Sequence, residues 1–163
     1  MSGGPTKANR LIPCSVALLS VATKDKRDAM TATAVFVSEE PPLVTVSVAK
    51  HIVTHDLIDK SGEFVVNVAS TGQAQLARQL GSIHGGDVDK FEKFGVATVP
   101  AQKVAAPIIQ GSYASLECKV ITSFTASTYA VYLAEVVAHR SNAELVPMVW
   151  QNDKFFAVRE PVS

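Results

Sequence analysis

Apolar and polar positions alternate with a period of two over much of this chain, most clearly across residues 43–49. Val44, Val46 and Val48 fall on one face there, and Leu43, Thr45, Ser47 and Ala49 on the other. A strand with one face on a core gives this pattern. The small groups of the second face leave room for something to lie against the backbone. Further strands are predicted over residues 11–23, 30–38, 64–69, 112–123, 129–140 and 154–158. Pro41 and Pro42 mark a turn, because proline cannot donate to a ladder. Helical spacing is confined to short stretches. Residues 54–60 place Leu57 and Ile58 on an apolar side, with Thr54 as the N-cap and Ser61 and Gly62 as the stop. Residues 71–80 carry Leu76 and Leu80 one turn apart and are expected to end at Gly81. Asp89 opens a last turn that directs Phe91 and Phe94 into the core. Most links are too short for parallel crossovers, so the pattern predicts a mainly β, antiparallel barrel with a few short helices.

Composition narrows this picture mostly by exclusion. The 163 residues suit one domain, residues 1–163, and 47% are hydrophobic, enough for a sizeable core. Residues 1–9 are polar and read as a disordered tail without a signal-peptide core. Fifteen basic residues balance fifteen acidic ones, which gives no footprint for nucleic acid. No apolar run reaches the roughly 18 residues of a membrane span. Cys14 and Cys118 stand far apart with no histidine near either, so neither a metal site nor a disulfide framework is expected. A reduced, cytoplasmic protein is the expectation.

Three constellations carry possible chemistry. Lys50, His51 and Thr54 follow the strand over 43–49 and could hold a phosphate at a helix N-terminus, or could be a solvated lysine beside an ordinary cap. Thr31, Ala32, Thr33 and Ala34 could expose backbone to a flat heteroaromatic ring, or could simply be good strand formers. His84 lies in the glycine-rich Ser82-Ile83-His84-Gly85-Gly86-Asp87, where a histidine could serve proton transfer or could sit in a plain turn. No GxSxG, P-loop, GxGxxG, HExxH or EF-hand pattern occurs.

The run TATAVFVSEEPPLVTVSVAKHIVTHDLIDKSGEFVVNV resembles the flavin reductase-like family. The family's small-residue strand corresponds to Met30, Thr31 and Ala32, its S-x-x-P-P-L-V element to Ser38 with residues 41–44, and its S-G-x-F-V-V-N-V element to residues 61–68. Asp89-Lys90-Phe91 looks like its D-K-F element, residues 115–120 like its L-E-C strand, and residues 132–138 like its closing strand. The resemblance implies an FMN-binding split β-barrel, antiparallel and Greek-key-like, in a homodimer. It implies FMN or FAD as cofactor and NAD(P)H as electron donor, with free flavin, a metal ion or a redox partner protein as acceptor. Thr31, Ala32, Thr33 and Ala34 would line the ring, with a threonine hydroxyl near its reactive edge. Ser47, Val48 and Ala49 would follow the ribityl chain, and Lys50, His51 and Thr54 would meet the phosphate. Flavin reductases of this family carry Gly-Asp-His before the closing strand. Here Ala126-Ser127-Thr128-Tyr129 stands instead, with Tyr129 near the histidine position. Thr31, His84 and Tyr129 are therefore the catalytic candidates. A flavoredoxin-like carrier reduced by a partner protein, or a non-catalytic flavin-binding module, are the alternatives.

Overall fold

The computed structural model describes residues 7–84, Gly86 and residues 88–162. The stretch expected as one strand from residue 11 is β1 (Cys14–Ser15) and β2 (Ala17–Ala22), and that over 30–38 is β3 (Arg27–Ala32) and β4 (Ala34–Glu39), parted only by Thr33. β5 (Pro42–Ala49), α1 (Val53–Ser61) and β6 (Glu63–Val68) follow, then a 3-10 turn (Thr71–Gln73), α2 (Ala74–Ser82) and α3 (Lys90–Lys93). β7 (Thr98–Val99) and β8 (Ile108–Ile109) form a small ladder, and β9 (Ala114–Ala126) and β10 (Tyr129–Ser141) a long hairpin. β11 (Met148–Gln151) and β12 (Lys154–Ala157) close the chain. Of the expected tail, residues 1–6 lie outside the described residues; Ala8–Arg10 forms a 3-10 turn, with Arg10 paired to Asp153 at 2.6 Å.

Seven strands form one antiparallel sheet in the order β3-β2-β6-β9-β10-β5-β4. Its two edge strands, β3 and β4, are also consecutive in the chain with Thr33 alone between them. A single residue spans under about 4 Å, so the sheet must curl until its edges meet. The barrel expected from the strand pattern is thus enforced by connectivity. Its interior takes Ala17, Leu19 and Val21 from β2, Val44, Val46 and Val48 from β5, Phe64 and Val66 from β6, and Tyr132 and Ala134 from β10. The alternation predicted for residues 43–49 holds: Ser47 is exposed and Ala49 half-buried opposite the valines. β2 is buried on both faces, because Leu18, with Val16 just before the strand, packs outward under α2, α3 and β11.

Three local expectations are corrected. Pro42 begins β5, paired with Glu39, which is allowed because a first residue needs no ladder N–H. Thr54 is not the cap of α1: Ile52 holds the N-cap position in extended backbone, and Thr54 is one residue inside the helix, fully buried. Gly81 does not end α2, which runs through to Ser82. A glycine stops a helix by adopting positive φ, as Gly62 does after α1 with φ 68° and its N–H on the Ile58 carbonyl at 2.8 Å. Gly81 instead stays helical and lies against Thr31.

Candidate functional site

Where β3 leaves the barrel edge, an open cleft of about 980 Å³ runs between two walls. One wall is β3, the end of β5 and the start of α1, supplying Thr31, Ala32, Thr33, Ser47, Ala49 and His51. The other is α2 with the small sheet β1-β11-β12, supplying Arg78, Ser82, His84, Cys14, Trp150 and Phe155. Tyr129, at the start of β10 and in register with Ala49, completes the rim.

The sequence candidates divide sharply in this setting. Thr33 is exposed and its hydroxyl has no partner among the described residues, so it is the threonine with a free donor. Thr31 lines the cleft, yet its hydroxyl donates to the Ala77 carbonyl of α2 at 2.6 Å, which removes it as the free donor expected near a flavin edge. Ala34 is off the lining, and Ser15 occupies its backbone: the Ala34 N–H donates to Ser15 Oγ at 3.1 Å, and that hydroxyl donates to the Ala34 carbonyl at 2.7 Å. Val48 points into the barrel core and reaches no ligand by its side chain. Lys50 is exposed just beyond the strand, its Nζ 3.3 Å from Thr125 Oγ1, and does not line the cleft, whereas His51 does.

Thr54 has an interior role. Its hydroxyl donates to Asp28 Oδ2 at 2.5 Å, and Lys90 Nζ stands 3.0 Å from Asp28 Oδ1 and 2.8 Å from the Ala29 carbonyl. Asp28, Thr54 and Lys90 are all buried. A buried charge is tolerated only when paired and hydrogen-bonded, and here the pairing ties α1, β3 and α3 together behind the cleft. On its other side α1 is held by Tyr132, whose hydroxyl donates to Asp59 Oδ1 at 2.6 Å. Burial, then the Asp59 carboxylate, push the Tyr132 hydroxyl well above its ordinary value, so it stays a neutral donor. Asp89 caps α3 by accepting from the Phe91 and Glu92 N–H groups and takes a 2.9 Å bond from Arg27 Nε. Burial acts to raise its carboxyl, but the Arg27 guanidinium and those N–H groups outweigh it and hold the carboxyl below the usual range.

Of the two thiols, Cys118 sits in the barrel and burial pushes it up to about 12, while Cys14 is half-buried on the cleft wall. Sequence reasoning missed Arg78, Trp150 and Phe155. Trp150 was hidden by overlooking β11, and Phe155, inside the strand predicted over 154–158, was left without its hairpin partner; the signal was the Asn152-Asp153 pair, residue types that tolerate the positive φ, 50° and 61°, they adopt in a two-residue hairpin turn. Arg78 had no such signal.

A family model described as "Flavin reductase like domain" matches residues 9–159. The chain belongs to the flavin reductase-like family. It is 28% identical, over 82% of its length and 74% of the relative's, to an FMN reductase (NADH) of Pseudomonas syringae. It is also similar to the solved NADH:FAD oxidoreductase of Streptomyces globisporus in complex with NAD and FAD fragments, with a TM-score of 0.83 and 27% identity over 94% of this chain and 90% of that one. Flavoredoxin of Desulfovibrio vulgaris shares the fold, with a TM-score of 0.88 at 21% identity over 100% of this chain and 96% of that one.

The motifs that mark the family in this chain are mostly scaffold. Asp89-Lys90-Phe91 supplies a cap, a buried cation and a core ring. Ser61 and Gly62 stop α1, and Phe64, Val65 and Val66 fill two cores. The cleft is lined instead by small residues at the barrel's closing edge, and these fit a flavin. Ala32 and Ala49 allow close approach of a ring and its tail, Thr33 has a free hydroxyl, and His51 offers a donor where β5 turns into α1.

Proposed function

We propose that this chain binds FMN in the cleft and, as an oxidoreductase, passes electrons from NAD(P)H to an acceptor such as free flavin, a metal ion or a partner protein. The observation that carries this is the cleft of about 980 Å³ floored by small residues of β3 and β5, in a chain of this family. A bound flavin supplies hydride acceptance and electron release. The protein's part is to bind and orient: Ala32 and Thr33 against the ring, Ser47 and Ala49 along the ribityl chain, His51 toward the phosphate. Thr33 is the hydroxyl that can donate to the ring's edge, and His84 and Tyr129, the other catalytic candidates, share the cleft with it.

The test is a visible spectrum of the purified protein followed by anaerobic addition of NADH and NADPH. A yellow protein bleached by either nucleotide is the expected outcome. A yellow protein that neither bleaches supports the second reading, an electron carrier reduced by another protein, which is favoured by Tyr129 standing near the position where the family's reductases place a histidine. A colourless protein that takes up neither FMN nor FAD would falsify both.

The active unit is a homodimer in this reading. Val35, Phe36 and Val37 of the edge strand β4 are 59%, 56% and 54% exposed, and Phe124 near the tip of the β9–β10 hairpin is 62% exposed. A second copy would cover this strand edge and apolar strip, and sedimentation velocity tests it. Residues 1–163 act as one domain, in the cytoplasm, where free Cys14 and Cys118 stay reduced. No helix among the described residues is long and apolar enough to cross a membrane.

A further inference from the structure

Arg78 lies on the cleft lining and is exposed, and among the described residues no carboxylate pairs with it. Arg10 and Arg27 differ from it: Arg10 pairs with Asp153 and Arg27 with Asp89. Arg78 is nonetheless held in place, because its guanidinium stacks over the Phe155 ring at 4.7 Å from the centroid. Phe155 is itself positioned by a cross-strand row, paired in register with Trp150, which pairs with Cys14. All four of these side chains line the cleft. A guanidinium set on a ring keeps its N–H edges free for an anion, and a planar fork suits phosphate oxygens.

The cleft thus has two places for phosphate on two different walls: His51 at the β5–α1 turn and Arg78 on α2. A flavin mononucleotide has one phosphate group and needs one of them. The volume of about 980 Å³ lies at the top of the roughly 300–1,000 Å³ range of small-ligand pockets, which leaves room for a second nucleotide. We infer that Arg78, seated on Phe155, anchors a phosphate of the nicotinamide nucleotide and so sets its affinity independently of the flavin. This rests on the reading of the cleft as a flavin and nicotinamide site.

The experiment uses the full-length flavoprotein and the variants Arg78→Gln and Phe155→Leu. Steady-state kinetics with NADH and NADPH are combined with calorimetric titration of NAD⁺ and NADP⁺ and with the flavin dissociation constant from fluorescence quenching. For Arg78→Gln the expected result is a rise of about tenfold in both KM and the nucleotide dissociation constant, with kcat and flavin affinity within about twofold of wild type. Phe155→Leu keeps an apolar seat but no ring, and is expected to give a rise of about two- to threefold in the same constants. Unchanged nucleotide affinity in Arg78→Gln overturns the inference while leaving the flavin reading intact. A comparable loss of flavin affinity also overturns it, by moving Arg78 to the flavin phosphate. Wild-type flavoprotein that neither binds nor is reduced by either nucleotide overturns the inference together with the reductase reading.

Discussion

On the α1 side of the cleft the elements are joined by charge-bearing bonds: Thr54 to Asp28 and Lys90 to Asp28, both buried, and Tyr132 to the exposed Asp59. On the α2 side they are joined by rings and by neutral bonds, with Trp150 and Phe155 packed against the α2 cluster and Thr31 donating to the Ala77 carbonyl. The first wall is therefore costly to disturb and offers few free polar groups to a ligand. The second is softer and leaves a cation, Arg78, at the surface. A residue's presence at a helix start or strand end does not decide whether it meets solvent, ligand or core. What decides is whether a buried partner claims it first.

The contrast is tested most severely at Lys90. Lys90→Met leaves Asp28 buried without its cation and should cost about 3–5 kcal/mol in urea-induced unfolding. The double variant Asp28→Asn with Lys90→Met should recover much of that, and if it does not, the loss is one of packing and the charged wall is misread. Next come the two threonines. Thr54→Val removes a bond to a carboxylate and should cost about 1.5–3 kcal/mol, whereas Thr31→Val removes one to a carbonyl and should cost about 1 kcal/mol. Neither should move the flavin dissociation constant more than about twofold if both hydroxyls serve the scaffold. A selective loss of flavin affinity in Thr54→Val would restore it to the phosphate site.

Ligand affinity supplies a smaller contrast. His51→Ala should weaken flavin binding about tenfold, the low end for a lost charge-assisted bond. Lys50→Ala, exposed and screened, should weaken it less than about threefold. The reverse order would put the phosphate at Lys50. The smallest effect concerns Asp89, whose carboxyl is held low in the folded protein. Its contribution is fully present above the unfolded value near pH ~3.9 and is lost as pH falls through the lower folded value. Asn caps a helix about as well as Asp. Asp89→Asn should thus be less stable than wild type near neutrality, and the two urea midpoints should converge as pH falls below about 4.

The barrel was legible because its strands carry their burial in their own alternation. Val44, Val46 and Val48 say which face is inside without reference to any other part of the chain. The same local reading found the α1 stop at Gly62 and the helical turn that begins at Asp89. It failed where the deciding partner is remote. Thr54 looks like a cap until Asp28 and Lys90 come together around it, and Thr31 looks like a free donor until α2 lays its Ala77 carbonyl alongside. The split of residues 30–38 at Thr33 was illegible for the same reason, since strand-forming side chains run straight through the break and only the closing of the sheet demands it. Half of the cleft escaped because it is assembled from α2 and the last hairpin, far from the motif that drew attention to the other half.

The joint at Thr33 also bears on how this molecule can vary. Because one residue both closes the barrel and floors the cleft, the segment from β3 to β4 can exchange side chains but cannot change length: an added residue would let the two edges drift apart and shift Ala32 and Ala34 out of phase at once. The turn at Ser127 and Thr128, where the long hairpin reverses, does not join two sheet edges, and only the Thr128 carbonyl, which accepts from the Lys50 N–H at 3.0 Å, ties it to β5. Diversification by insertion therefore has a direction in this fold, outward along the β9–β10 hairpin and away from the closing edge, leaving substitution as the route by which the floor of the site can evolve.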